Sequence, residues 1–466
     1  MEGCPNEILH IVCSHLSPKD AASMRLVNRA FAAIAGQYLV TRARFHASPD
    51  SVKRLVELSE HPVFGQKIST LFWEAARLNS TITLAQVKNI IRSIQAIEEK
   101  PKQPAATASP RELRLYNRNL SKWNVKRSSV PETFAQRQFE LYEKALGDER
   151  IAQGLVISHE KSSLFQAIQH LPHLKKIFYD NNPKCRHLMS DRFVDRYRAW
   201  DIPPPLNGDS GSSIDEVKIL LAAVAKAGIK LEELTITSLA PMFFFLRPKV
   251  PAILETLSLA LSHLKSLTIN FKLNLDHEHV DDGGCWSVLE RGGIREMAAA
   301  APQLRSLDLS FDTPLDEAGA DMTDILGDHT WSELKSVSIQ SAKATVDFLL
   351  QCLLRQPSLS ELSLGFFTLT AGSWSEVARR MQRELKLQAA NFHGLLTSLD
   401  PDNDEFWDTD ATKLPVALTP SVDEEYDDHM DGVEIPLAAE LRHYILWGSE
   451  DDPDPFYDFE WISNMS

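Results

Sequence analysis

The clearest hydrophobic pattern along the chain is a short unit with leucine or a similar apolar residue at its first, fourth and sixth positions. Six copies begin at Leu174, Leu231, Leu264, Leu304, Leu334 and Leu359. Apolar and polar residues alternate at the end of each copy, as in a strand with one buried face. The first residues of successive copies are 57, 33, 40, 30 and 25 positions apart, and stretches of helical spacing lie between them. The pattern therefore predicts strands that alternate with helices at irregular intervals.

A second pattern, with the spacing of helices, occupies the first 45 residues. Pro5 suits the first position of a helix, because its missing N–H would have no partner there. Four apolar residues then recur on one helix face: Ile8, Leu9, Val12 and Leu16. Ser17 and Pro18 predict the start of a second helix, and an apolar stripe that begins at Phe31 predicts a third. Three helices of this length bury too little apolar area to be stable alone, so we expect them to pack against a partner.

The order of these features resembles the F-box, a helical module that docks a substrate receptor onto a ubiquitin ligase. The resemblance implies that an adaptor subunit is bound by the matching positions: Pro5, Glu7, Ile8, Leu9, Val12, Leu16, Leu26, Val27 and Phe31. Two positions depart from the family pattern, since Cys4 replaces a usual leucine and Phe31 a frequent tryptophan. Each change removes apolar contact worth ~1 kcal/mol. The alternative is a plain helical cap on the rest of the chain.

The repeated unit resembles the leucine-rich repeat, in which each copy contributes a strand and a helix. The two resemblances imply an α/β fold, in which an N-terminal three-helix F-box (residues 1–45) is followed by an irregular leucine-rich-repeat solenoid with a parallel sheet (residues 50–399). Residues 68–73 would be a first copy and residues 385–387 a ragged last copy. We expect helices over 83–98 and 345–355. A flexible insert is expected near 99–130, where few residues could be buried.

The polar residues between the leucines are predicted to line the outward, concave face of the sheet. In four copies they are Ser266, Thr268, Asn270, Ser306, Asp308, Ser310, Ser336, Ser338, Gln340, Glu361, Ser363 and Gly365. Phosphorylated motifs are usually held by arginine clusters, and these positions contain no arginine or lysine. We therefore expect an unmodified target protein, bound partly by loops and tail. Alternatively, the tail of the chain covers this face.

Three phenylalanines predict how the strands end. Phe271, Phe311 and Phe366 each follow the first leucine of their copy by seven residues. Because large aromatic side chains contribute much of the buried area of a core, we expect these three to form a buried spine that closes the turns.

Composition points to a soluble protein of a reducing compartment. No apolar run reaches the 18 or more residues that a membrane helix requires, and no signal peptide is evident at the N-terminus. The five cysteines are scattered and include no Cys-x-x-Cys pair, which argues against a disulfide framework or a structural zinc site. We expect the protein in the cytoplasm, the nucleus or both.

The net charge of −15 is concentrated in the tail. Residues 400–466 contain 20 acidic residues against Lys413 and Arg442, so this segment carries −18 and the preceding residues +3. Neither part has the basic face of a nucleic-acid-binding protein. The tail also contains aromatic residues, so we expect part of it to cap the open end of the repeats or to dock on a partner.

Three segments contain residue types found in catalytic or metal sites. Residues 208–211 resemble a serine-protease nucleophile loop without its histidine context. The segment 276–285 offers His277 and His279, fewer ligands than zinc usually requires. Residues 400–405 lack the glycine of a calcium loop. We expect no catalytic activity, no metal and no cofactor.

These patterns together predict a non-catalytic substrate receptor of an SCF-type ubiquitin ligase. It would bind the adaptor through the F-box, the cullin scaffold through the adaptor, and a target protein of unknown identity through the repeats. No nucleic-acid or membrane partner is expected. The first alternative is a repeat scaffold with no role in ubiquitin transfer. A more distant alternative is a hydrolase that uses residues 276–285.

Overall fold

The computed structural model describes residues 5–78, 80–89, 116, 132–157, 162–181, 206–207, 213–244, 252–272, 289–312, 320–400, 406–409, 441–442 and 444–446. Several sequence predictions lie outside these residues. They are the insert near 99–130 apart from residue 116, the segments 208–211 and 276–285 and most of the tail. No helix in the described ranges is long and apolar enough to cross a membrane.

The N-terminal region folds into three short helices, as its apolar spacing predicts. They are α1 (Asn6–Ser14), α2 (Pro18–Met24) and α3 (Arg29–Ala35), followed by a 3-10 turn over Gly36–Tyr38. The Ser17 hydroxyl accepts a hydrogen bond from the Asp20 N–H, which caps α2. The Asn28 side chain accepts one from the Phe31 N–H over 2.9 Å and caps α3 in the same way. These caps stabilise helices that would be marginal in isolation.

In the described part of the chain, twelve strands form one sheet. Most neighbours are parallel, in the order β1-β2-β4-β6-β7-β8-β10-β12-β11-β9, with β13 beside β12 and β14 antiparallel to β13. The bounds are β1 Arg42–His46, β2 Thr70–Glu74, β4 Lys176–Asp180, β6 Glu233–Leu239, β7 Ser266–Lys272, β8 Ser306–Asp312, β9 Ala320–Asp321, β10 Ser336–Gln340, β11 Ala342–Thr345, β12 Glu361–Ala371, β13 Ala389–Ser398 and β14 Phe406–Asp408. The strands β3 (Arg77–Leu78) and β5 (Leu206–Asn207) form a separate antiparallel pair. The expectation of an α/β fold with a large parallel sheet is confirmed.

Helices connect most of the parallel strands. Their bounds are α4 Pro49–Glu60, α5 Glu132–Ile157, α6 Ser163–Gln169, α7 Ser213–Ala227, α8 Ala252–Leu261, α9 Gly293–Ala299, α10 Met322–Ile325, α11 Val346–Leu354 and α12 Trp374–Glu384. The helix expected over 345–355 is thus confirmed, and of that expected over 83–98 the structure describes residues 84–89 as helical. One continuous core of buried apolar residues joins these helices to the inward side chains of the strands. The opposite face of the sheet carries mainly polar side chains.

A recurring backbone hydrogen bond links each copy to the one before it. The N–H of the residue after the first apolar position donates to the carbonyl of its counterpart, over 2.7 to 2.9 Å. The donors are Lys175, Glu232, Lys265, Arg305, Lys335, Ser360 and Gln388, and the first acceptor is Ser69. Because Gln388 belongs to this series, the last copy begins at Leu387. The predicted copy over 385–387 was therefore wrong in register, since Ala390 and Phe392 occupy the buried positions.

The sheet also begins earlier than the repeated unit indicates. Strand β1 pairs with β2 in parallel, so the boundary predicted at residue 45 falls inside β1. This strand buries Ala43 and Phe45 instead of leucines. The leucine pattern therefore gives no sign of it.

The predicted phenylalanine spine is correct for two of its three members. Phe271 and Phe311 are buried, and their rings stack with centroids 5.1 Å apart. Phe366 is 37% exposed and has a positive φ of 47°. The register of β12 shifts between Gly365 and Phe367, and this bulge turns Phe367 into the core in place of Phe366.

Part of the tail lies against the end of the sheet. Strand β14 pairs with β13, and its Trp407 is buried beside Trp374 with ring centroids 6.4 Å apart. Leu441 and Ile445 also belong to the main core. The described residues of the tail therefore cover apolar area at the last strand.

Candidate interaction surfaces

Exposed apolar side chains are concentrated on the N-terminal helices. We call the following five residues the N-terminal patch: Ile8, Ile11, Val12, Leu26 and Val27. The exposed fraction reaches 56% at Ile11 and 88% at Leu26. Ile8, Ile11 and Val12 lie three and four residues apart and so share one side of α1, and exposed apolar area of this kind marks a binding surface.

The geometry of α1 and of the turn after α2 explains this exposure. Leu9 and Cys13 lie four residues apart and face the small core of the helical unit, where Phe31 and Ile34 meet them. The other side of α1 therefore presents its isoleucines and Val12 outward. Backbone hydrogen bonds from the Leu26 N–H to the Ser23 carbonyl and from the Val27 N–H to the Met24 carbonyl fix the turn. Both side chains are held outward by that turn.

The structure divides the predicted adaptor-binding residues into two groups. Pro5, Glu7, Ile8, Val12, Leu26 and Val27 are exposed. Leu9 and Phe31 are buried in the helical unit, and Leu16 packs partly against the same core. These three residues support the exposed group from within the helical unit, and direct adaptor contact by the nine residues stays a prediction. Ile11 was missed, although its position off the Leu9–Cys13 stripe indicates an outward side chain.

The core beneath the patch contains the buried thiol of Cys13. Burial raises the pKa of the Cys13 thiol above its usual range, so the thiol is protonated at neutral pH. The His10 ring contacts the Tyr38 hydroxyl at 3.1 Å, and burial also raises the pKa of Tyr38. These groups tie α1 to the 3-10 turn that leads to the sheet.

The predicted target-binding residues come together on the polar face of the sheet. Parallel register aligns them in three rows: Ser266–Ser306–Ser336–Glu361, Thr268–Asp308–Ser338–Ser363 and Asn270–Ser310–Gln340–Gly365. In this set Glu361 is exposed, Gly365 is buried and the others are half-buried. The rows form a surface of short hydroxyl and amide groups, as expected from the sequence.

The same face continues over strands that the sequence prediction did not take into account. Arg44 on β1, Phe72 on β2 and Phe178 on β4 lie in one row by register. Arg42 and Lys176 lie in the next row, on either side of Thr70. The four copies without arginine or lysine are therefore not representative of the whole face, which also carries Arg42, Arg44 and Lys176.

Ion pairs hold the acidic residues around the middle strands. Glu232 lies between Lys175 at 2.8 Å and Lys265 at 3.0 Å. Hydrogen bonds from these two ammonium groups lower the pKa of Glu232 to about 2. Lys176 forms an ion pair with Glu233. Glu232 is therefore charged at neutral pH, and both carboxylates are already engaged within the chain.

A buried ionic cluster lies behind the polar face. The Arg77 guanidinium bonds to Glu216 and lies 3.5 Å from Glu149. The Tyr179 hydroxyl donates to Glu216 over 2.6 Å, and burial raises the Tyr179 pKa. This cluster connects β3, β4, α5 and α7. Among the described residues, no group of three or more His, Cys, Asp or Glu could hold a metal ion, and we assign the cluster to holding these elements together.

Comparison with known families identifies the N-terminal unit. Residues 1–38 match the family model of the F-box domain. The match covers the helices that carry the N-terminal patch and ends before β1. A search of curated proteins found no significant match to this chain. The prediction of an F-box is confirmed, and the match is confined to that part of the chain.

Proposed function

We propose that this chain, which carries an N-terminal F-box, is a substrate receptor of an SCF-type ubiquitin ligase. The observation that carries the proposal is the exposed N-terminal patch within the matched residues 1–38. F-box domains bind the adaptor subunit and thereby the cullin scaffold. The rest of the chain would hold a target protein near an enzyme that belongs to another subunit, so the receptor needs no catalytic residue of its own.

The energetics of the patch support adaptor binding. Burying a Val, Leu or Ile side chain is worth about 1.5–3 kcal/mol relative to leaving it exposed. The five side chains of the patch lie on a unit whose own core is small, so a partner that covers them gains this free energy. The substitution of Phe31 for the frequent tryptophan affects the inner core instead of the contact surface, because Phe31 is buried.

We further propose that the sheet and its helices form an irregular leucine-rich-repeat solenoid. The proposal is supported by the series of backbone hydrogen bonds between successive copies and by the buried first leucines of those copies. The hydrogen bonds recur at every copy although the copies are unevenly spaced along the chain. Such a body offers an extended polar face for a target.

Adaptor binding provides the test of the receptor function. We expect the double variant Leu26→Asp/Val27→Asp to bind purified adaptor at least about tenfold more weakly, because two central apolar contacts are lost. The variant Ile151→Asp is the matched control, since Ile151 is similarly exposed but lies on α5. Isothermal titration calorimetry measures all three proteins. Adaptor affinity that the double variant leaves unchanged would contradict the proposal.

A further inference from the structure

We infer that the target is docked at one end of the polar face, by a surface built for an aromatic side chain with acidic neighbours. We call this surface the aromatic–basic patch and define it by Arg42, Arg44, Phe72, Lys176 and Phe178. The inference rests on the proposed function. It states which part of the sheet recognises the target and which chemical groups are involved.

The aromatic part of the patch is a pair of stacked phenylalanine rings. Phe72 and Phe178 are directly paired in the register of β2 and β4. Their ring centroids are 4.7 Å apart and the planes differ by 9°. Both side chains are half-buried, while their chain neighbours, such as Trp73 and Tyr179, face the core. The pair is therefore an apolar platform on a face otherwise lined mainly by polar side chains.

The basic part of the patch lies next to this platform, on β1 and β4. Arg44 is paired with Phe72 in register, and neighbouring strands are about 4.8 Å apart, so the two side chains are adjacent. Arg42 lies two residues away on β1, about 6–7 Å along the strand. It is exposed and forms no ion pair with any residue that the structure describes. Lys176 is half-exposed beside its partner Glu233.

The acidic groups near the platform are engaged or buried. The Glu74 side chain is almost fully buried, with an oxygen 4.0 Å from Arg44 Nε. Asp180 accepts a hydrogen bond from the Thr237 hydroxyl over 2.7 Å. Glu233 is paired with Lys176. The basic groups that this end of the face offers to a partner are therefore Arg42 and Arg44.

This combination favours a specific kind of target segment. A Trp, Tyr or Phe side chain packs against the phenylalanine pair, where aromatic contacts stabilise beyond their buried area. A carboxylate next to it in the target bonds to Arg44 or Arg42, and arginine holds carboxylates in a bidentate geometry. We assign the docking to unmodified aspartate or glutamate next to an aromatic residue.

A random peptide library displayed on phage tests this assignment. The full chain, purified with the adaptor, is the bait. We expect the enriched peptides to carry an aromatic residue with adjacent Asp or Glu, and to bind the Phe72→Ser/Phe178→Ser variant at least about tenfold more weakly. Enrichment of peptides without acidic residues, or the absence of any peptide that depends on the two phenylalanines, would overturn the inference. Binding that appears only after phosphorylation of synthetic peptides would do the same.

Two further variants test whether the peptides bind at the aromatic–basic patch and not elsewhere on the sheet. The Arg42→Glu/Arg44→Glu variant should switch the selected flanking residues from acidic to basic. The Asn391→Ala variant changes the same face on β13, six strands away from β4, and should bind the enriched peptides like the wild-type chain. Circular dichroism and thermal melts confirm that each variant is folded.

Adaptor binding, measured on the same preparations, separates the two proposals. A chain that binds the adaptor but selects no peptide at the patch contradicts only the inference. A chain that selects such peptides but does not bind the adaptor contradicts the receptor function and leaves the patch as a docking site.

Discussion

Neighbouring residues on α1 have opposite roles. Leu9 is 6% exposed and Ile8 is 47% exposed, although the resemblance to the F-box implied that both contact the adaptor. A helix with apolar residues on two stripes does not reveal which stripe faces its own core. The tertiary packing of α3 against Leu9 and Cys13 decides it.

This difference predicts separate effects of two alanine substitutions. Leu9→Ala should lower the free energy of unfolding of the F-box by about 2–5 kcal/mol, because it leaves a cavity in a small core. Ile8→Ala should leave stability nearly unchanged and weaken adaptor binding, because it removes an exposed contact. Thermal melts and calorimetric titration with the adaptor measure the two effects. The opposite pattern, with Ile8→Ala destabilising and Leu9→Ala silent, would show that α1 is rotated about its axis.

Single residues also explain what the sequence could and could not predict about the strands. The copies from Leu231 to Leu359 were located because leucine, isoleucine or valine fills their inward positions. The first strand was missed because Ala43 and Phe45 fill them, and the last was placed out of register because Ala390 and Phe392 do. The exchange of Phe366 for Phe367 follows from a bulge, which depends on pairing between strands and leaves no local signal.

Candidate sites were predictable to a similar degree. The F-box motif located the N-terminal patch, because its order of proline, cap and apolar residues is characteristic. The aromatic–basic patch was not found, since its residues come from β1, β2 and β4 and are adjacent only after the strands pair. Phe178 and Lys176 were visible as outward positions of the copy at Leu174. The residues next to them on β1 and β2 could not be identified from the sequence.

At the level of elements, the link between Glu232 and its two lysines predicts a pH-dependent contribution to stability. The folded pKa of about 2 lies below the ordinary value of 4.5. The contribution is therefore present above pH 4.5 and is lost as the pH falls toward 2. Glu232→Gln should lower the melting temperature at pH 7, and the difference from wild type should shrink between pH 4.5 and 2. A difference that stays constant over this range would exclude the ionic origin.

The described tail residues predict that the tail stabilises the last strands of the sheet. Trp407 is buried against Trp374, and β14 pairs with β13. Trp407→Ala should lower the free energy of unfolding by about 3–5 kcal/mol, and a chain that ends at Asp400 should melt lower still or aggregate. Differential scanning calorimetry and light scattering measure these outcomes. A truncated chain that is monomeric and as stable as wild type would contradict the capping role.

On the scale of the whole molecule, the two proposed binding surfaces lie toward the same end of the sheet. The F-box directly precedes β1, and the aromatic–basic patch occupies β1, β2 and β4. The four copies with short polar side chains extend away from that end. The sequence predicted target binding along those copies, whereas the structure offers stronger anchors close to the F-box.

The connection between the F-box and the sheet is short and is held by side-chain and backbone contacts. Three residues, Leu39 to Thr41, separate the 3-10 turn from β1. The Lys67 ammonium lies 5.1 Å from the centre of the Tyr38 ring, and the Ser69 N–H donates to the Thr41 carbonyl over 2.9 Å. Under the proposed function, a docked target would then be presented to the ligase in a fixed orientation. The lysines that receive ubiquitin would be selected by their position on the target's surface, and the sequence around each lysine would matter little.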